Sequence, residues 1–139
     1  MRVLALDLGS KRIGVAVSDR SGTIASPLTV LARSGRVEHD HRRILALVED
    51  EEAERVVVGL PLSLDGSMGP AARAAQSEAE VLAGVLPVPV ETIDERFTTV
   101  SADRVLQSAD VRGADRRRSI DKVAAAVMLQ AWLDRRAER

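Results

Sequence analysis

The chain contains no cysteine. That excludes disulfides, iron–sulfur clusters, thiolate zinc sites and a cysteine nucleophile together, and it fits a reducing cytoplasm. Aromatic residues are almost as scarce: one Trp, one Phe and no Tyr among 139 residues. No base-stacking platform of the kind used by single-strand binders is visible. Only His39 and His41 could supply imidazole, and both sit in the polar run RVEHDHRR, a poor starting point for histidine catalysis. No apolar run approaches the ~18 residues of a membrane span. The opening MRVLALDLGS also lacks a signal-peptide cleavage pattern, so no membrane association is expected.

What is present suffices for a core. Hydrophobic residues make up 45% and charged residues 29% of the chain, the composition of a folded domain rather than a disordered one. The length suits a single domain over 1–139. Twenty basic residues against 21 acidic give a net charge of −1, unlike the basic balance of many nucleic-acid binders. The charges are unevenly placed: residues 1–95 carry a net −5 and residues 96–139 a net +4. The C-terminal part therefore offers a local basic surface.

Periodicity orders the elements. Val3 to Leu8 is a short apolar run suited to a central strand buried on both faces. Ile13 to Ser18 and Thr23 to Leu31 are two further strands behind short turns, and Pro27 marks the third as an edge. Val37 to Glu52 places Ile44, Leu45, Leu47 and Val48 at helical spacings. A strand over Arg55–Pro61, a helix from Ala71 to about Val85 behind Pro70, and a strand over Val88–Ile93 follow. Helices are expected over Thr99–Ser108 and from about Ser119 to Arg136, the last burying Ile120, Val123, Ala124, Val127, Met128, Ala131 and Trp132. Three antiparallel strands followed by α/β crossovers imply an α/β domain with a mixed five-stranded sheet and helices on both faces.

Three carboxylates fall at element ends. Asp7 lies inside an apolar strand, where an unpaired charge costs several kcal/mol. It either faces a ligand crevice at the strand's C-terminal end or opens a β-turn towards Gly9. Asp94-Glu95-Arg96 ends another strand, and alternation lets only one of the two acids share a crevice with Asp7. The other reading is a solvated strand end, with Asp94 or Thr98 capping the next helix. Asp121 is expected in the first turn of the last helix, where the helix dipole alone would account for it. Taken together, three hard oxygen donors without His or Cys favour Mg²⁺ or Mn²⁺. A pair of such ions would clamp a scissile phosphate between an activated water and the leaving oxygen.

The segments LDLGSKRIGVAVSD, VVGLPLSLDGSMGP, TIDERFTTVSA and RRRSIDKVAAAVMLQAWL, in this order along the chain, resemble the YqgF family, also called RuvX. Its members are bacterial proteins assigned to pre-16S rRNA processing and to Holliday-junction resolution. The resemblance implies a ribonuclease-H-like fold and metal-dependent phosphodiester hydrolysis leaving 5′-phosphate and 3′-hydroxyl ends. Position by position, it makes Asp7, Glu95 and Asp121 the catalytic, metal-binding acids, and prefers Glu95 over Asp94. The implied substrate is structured RNA at the 5′ end of pre-16S rRNA, in a cytoplasmic monomer or homodimer. Branched DNA, a noncatalytic nucleic-acid-binding role and a nucleotide-binding ATPase fragment are the alternatives. Candidate substrate contacts are Lys11 and Arg12 on the first hairpin, Arg96 beside Glu95, and Arg116, Arg117 and Arg118 ahead of Asp121. Arginine forks match phosphate oxygens, although a charged turn or run needs no function.

Overall fold

Alternation along β1 (Val3–Leu8) decides the layering. Leu4 and Leu6 point into one core with Ile13, Val15, Val56 and Val58, whereas Val3 and Ala5 point into another with Ala16 and Val57. A strand buried on both faces needs a helical layer on each side. The computed structural model describes residues 1–98 and 114–137, with the side chains of residues 97, 98 and 114–120 outside that description. β2 (Arg12–Ser18) and β3 (Ala25–Ala32) complete an antiparallel meander, followed by α1 (Val37–Asp50), β4 (Arg55–Leu60), α2 (Pro70–Val85) and β5 (Val90–Asp94). A 3-10 turn (Glu95–Thr98) follows β5, and α3 (Ala114–Ala137) ends the chain.

The strands lie in the order β3-β2-β1-β4-β5, with β1–β2 and β2–β3 antiparallel and β1–β4 and β4–β5 parallel. This is the mixed five-stranded sheet that the periodicity implied. Helices α1 and α2 supply Ile44, Val48, Ala79 and Leu82 to one core. Helix α3 supplies Ala125, Ala126, Met128, Leu129 and Leu133 to the other. β3 is an edge strand, as Pro27 suggests, and its register against β2 shifts between Val15 and Ala16 beside that proline. A residue that cannot donate to the ladder is tolerated at such a place.

Three sequence expectations need correcting. α3 is helical from Ala114, so Asp121 sits in its third turn rather than its first. The N-terminal dipole fades within one turn and does not account for that acid. Ala124 is exposed, and Trp132 is half-buried at the margin of the α3 core, its ring 5.2 Å from the Arg136 guanidinium carbon. Within the polar run RVEHDHRR, Asp40 and His41 are nonetheless buried, at 2% and 3% exposed. The expected helix over 99–108 and the side chain of Ile120 lie outside the described residues.

Candidate active site

Asp7 continues the Val3–Ala5 phase, so its side chain turns towards the α3 layer at the C-terminal end of β1. Its antiparallel partner across the ladder is Gly14. A Cβ on Gly14 would collide with the backbone carbonyl of Asp121 and come within 3.2 Å of the Lys122 amide nitrogen. The missing side chain is what lets α3 lie directly on β2 beside Asp7. On the other flank, the β1–β4 register continued one residue past Leu6–Val58 brings Asp7 beside Gly59. A Cβ there would collide with the Met128 sulfur and the Glu95 carboxylate. Two glycines in one row of the sheet thus clear the floor on which the acids sit. The sequence reading passed over both, although a lone glycine inside each of the apolar runs RIGVAV and VVVGL is the signal of close backbone approach.

Glu95 follows Ile93 in phase, and Ile93 belongs to the α3-side core. This is the structural reason that Glu95 rather than Asp94 faces Asp7. Burial, the neighbouring Asp7 charge and a hydrogen bond to Asp7 push the Glu95 carboxyl from its ordinary 4.5 up to about 7. Asp7 is also raised, by burial first and by the Asp121 charge second, with the Glu95 hydrogen bond partly offsetting both. Below about pH 7 Glu95 therefore holds a proton that it can donate to the Asp7 carboxylate. Asp94 turns elsewhere, accepting from the Arg96 backbone N–H at 2.9 Å and from Arg96 Nη2 at 2.5 Å.

Asp121 lies close enough for its charge to act on Asp7, but its Oδ2 accepts a hydrogen bond from Arg12 Nε at 2.5 Å. Among the described residues, no three acidic or histidine side chains converge on one point able to hold an ion. The donor chemistry nevertheless fits a hard divalent cation. Two half-buried carboxylates that stay together only by sharing a proton present oxygen donors alone, the set that Mg²⁺ and Mn²⁺ take. Asp121 would complete that set on release from Arg12.

The other candidate contacts are distributed differently. Lys11 is exposed at the hairpin tip, and Arg12 is shared between Asp121 and a cleft on its far side. Arg96 is engaged by Asp94 and by the Leu64 carbonyl of the 63–70 loop. Arg116, Arg117 and Arg118 ride on the first turn and a half of α3, where side chains are outside the described residues.

The sequence reading missed a buried brace behind the hairpin. Arg33 donates from its backbone to the Lys11 carbonyl and from Nε to the Gly9 carbonyl, both at 2.9 Å. Its two Nη atoms grip Glu78 at 2.8 Å each, and His41 Nε2 meets the same carboxylate at 2.8 Å. Burial works against ionisation of Glu78, but the Arg33 and His41 hydrogen bonds outweigh it and hold the carboxyl below its usual range. The turn joining Asp7 to Arg12 is thus tied to α1 and α2 by a bidentate pair.

Sheet order, two helical layers and the position of α3 define a ribonuclease-H-like α/β fold. The fold is shared with Thermus thermophilus RuvC in complex with a Holliday junction substrate (TM-score 0.64, 22% identity, 99% of this chain and 96% of that one). It is also shared with the yeast mitochondrial Holliday junction resolvase Ydc2 (TM-score 0.63, 11% identity, 98% and 79%). Within that class the chain belongs to the RuvX family, described as Holliday junction resolvase, whose model matches residues 1–135. A relative from Pelotomaculum thermopropionicum is 48% identical over 134 residues, 96% of this chain and 87% of the relative. One from Anaeromyxobacter dehalogenans is 46% identical over 137 residues, 99% of each. Both relatives carry the name "Putative pre-16S rRNA nuclease".

Proposed function

We propose that this protein is a divalent-metal-dependent nuclease acting through Asp7, Glu95 and Asp121, with the 5′ end of pre-16S rRNA as its substrate in ribosome biogenesis. The single observation carrying this reading is the Asp7–Glu95 pair, one acid from β1 and one from the turn after β5, joined by a hydrogen bond at one end of the sheet. Such a pair is unfavourable for the fold alone and useful to a site that binds cations. The names of relatives 46–48% identical over nearly the whole chain supply the substrate. An rRNA-processing role sets the protein in the cytoplasm, and the described residues include no helix able to cross a membrane.

Asp7, Glu95 and Asp121 would hold Mg²⁺ or Mn²⁺, which supplies Lewis-acid activation of water and stabilisation of the leaving oxygen. The chain's own part is positional. Gly14 and Gly59 give the acids room at the sheet surface, and α3 carries Asp121 over Gly14 to within electrostatic reach of Asp7. The Arg33–Glu78 pair fixes the turn that leads from Asp7 to the cations Lys11 and Arg12. Arg12 pairs with Asp121, and that carboxylate would have to leave the pair to hold a cation.

A four-way DNA junction is the second substrate, favoured by the description of the matching family as Holliday junction resolvase. The test is cleavage of a pre-16S 5′-end transcript and of a four-way junction by wild type and by Asp7→Asn, with Mg²⁺, Mn²⁺ or EDTA. Metal-dependent cleavage of the transcript by wild type alone is expected. Cleavage of the junction only moves the substrate to DNA, and equal residual cleavage by both proteins rejects the nuclease reading.

A further inference from the structure

A second feature lies at the same end of the sheet as the acids. The β1–β2 turn, the end of β3 and the first half of α1 enclose a cleft of about 460 Å³ lined by Lys11, Arg12, Val30, Ala32 and Arg43. Three cations and two small apolar walls line it, and no acid does among the described residues. Apolar walls around charges of one sign concentrate the field inside such a cleft. The volume exceeds one phosphate group and suits a stretch of sugar–phosphate backbone. Arg12 belongs to both places: its Nε is 2.5 Å from Asp121 Oδ2, and its side chain forms one wall of the cleft. A strand that presented one phosphate to the acids would therefore carry its neighbouring phosphates towards Lys11 and Arg43.

Arg43 is the residue with no role so far. Its Nη1 donates to the Ala32 carbonyl at 2.7 Å, which anchors the guanidinium at the rim. The Asp40 carboxylate lies 3.9 Å away, 2% exposed, with its Oδ1 accepting the Ser34 N–H at 3.1 Å. The other groups at this end, Arg33, Glu78 and His41, are locked to one another. Arg43 thus has one hydrogen bond fixing its place and further N–H groups able to meet an anion.

We propose that the Lys11–Arg12–Arg43 cleft is a subsite for the nucleic-acid backbone next to the scissile phosphate, with Arg43 as a phosphate-binding residue. The proposal rests on the nuclease reading and extends it by giving the substrate strand a direction, away from the acids and across the first hairpin onto α1.

The experiment measures binding of the transcript and the junction by fluorescence anisotropy in EDTA, in an Asp7→Asn background, over a series of salt concentrations. Adding Arg43→Ala should weaken binding about tenfold at low salt and lower the slope of log affinity against log salt by about one. Arg43→Lys should recover most of the slope. Lys11→Gln, at an exposed tip where folding is not at issue, should act in the same direction. Arg42→Ala removes an exposed neighbouring cation that does not line the cleft and should leave the slope nearly unchanged. In the active background, Arg43→Ala should raise KM with kcat almost constant. Unchanged affinity and slope for Arg43→Ala and Lys11→Gln overturn the subsite, as does an equal loss from Arg42→Ala, which would reduce the effect to net charge. Either result leaves metal-dependent cleavage by wild type standing. Absence of both binding and cleavage removes the nuclease reading as well.

Discussion

The Asp7–Glu95 pair has a thermodynamic signature that needs no substrate. Glu95 binds its proton more tightly in the folded protein, at about 7 against an ordinary 4.5. Between those values the folded state therefore holds more protons than the unfolded chain, and stability must fall as pH rises through the window. At about 1.4 kcal/mol per decade of proton affinity, the ceiling is ~3 kcal/mol. Glu95 is only half-buried, and solvent screening brings the expected effect to ~1–2 kcal/mol. For a chain of this size that is a fall in Tm of roughly 3–8 °C between about pH 5 and pH 8. Glu78 and Asp40, held low by hydrogen bonds that outweigh burial, act in the opposite sense, and only as pH drops into the ordinary carboxylate range and below. The assay is thermal unfolding followed by circular dichroism in EDTA. Asp7→Asn removes the charge that repels ionised Glu95 but not the burial that is the larger cause, so the variant should lose part of this slope and be more stable than wild type at about pH 8. Millimolar Mg²⁺ or Mn²⁺ should restore wild type at that pH and leave Asp7→Asn unmoved. A wild-type Tm that rises steadily across the window, or the same fall in both proteins, would refute the reasoning.

Three further outcomes follow from the site's surroundings. Gly14→Ala sets a methyl group against the Asp121 backbone; it should cost ~1–3 kcal/mol in denaturant unfolding and about a hundredfold in kcat by displacing α3. Glu78→Ala strands Arg33 and His41, whose side chains are 17% and 3% exposed, and should lower unfolding free energy by ~2–4 kcal/mol. A variant within ~0.5 kcal/mol of wild type would show that the brace is not holding the hairpin. Arg12→Gln frees Asp121 from its partner, so Mn²⁺ affinity without nucleic acid should rise about three- to tenfold while nucleic-acid binding weakens; a simple substrate contact would leave metal affinity unchanged.

Much of the fold was legible because its signals are local. An apolar run, a proline inside a strand pattern and the change to helical spacing at Val37 each report on the backbone they occupy. The preference for Glu95 over Asp94 rests on family resemblance, and the phase of Ile93, which faces the α3 core near the end of β5, is consistent with it. That phase is a tertiary fact, invisible before the helix is placed. The polar run at the start of α1 hides two buried residues for a related reason. Asp40 and His41 lie four and three residues before Ile44 and so share its buried face. What makes their burial tolerable is the Ser34 backbone N–H for one and Glu78, 37 residues further on, for the other. Asp121 was placed at a helix start because the apolar pattern begins there, whereas the helix itself extends back through the charged residues to Ala114.

Calorimetric titration of Mn²⁺ into the nucleic-acid-free protein tests the central claim most directly. Wild type should bind the ion with release of protons at about pH 6.5, where Glu95 must give up its proton, and Asp7→Asn should show no comparable binding. Equal binding by the two proteins, or cleavage by a wild type that takes up no ion, would contradict the account.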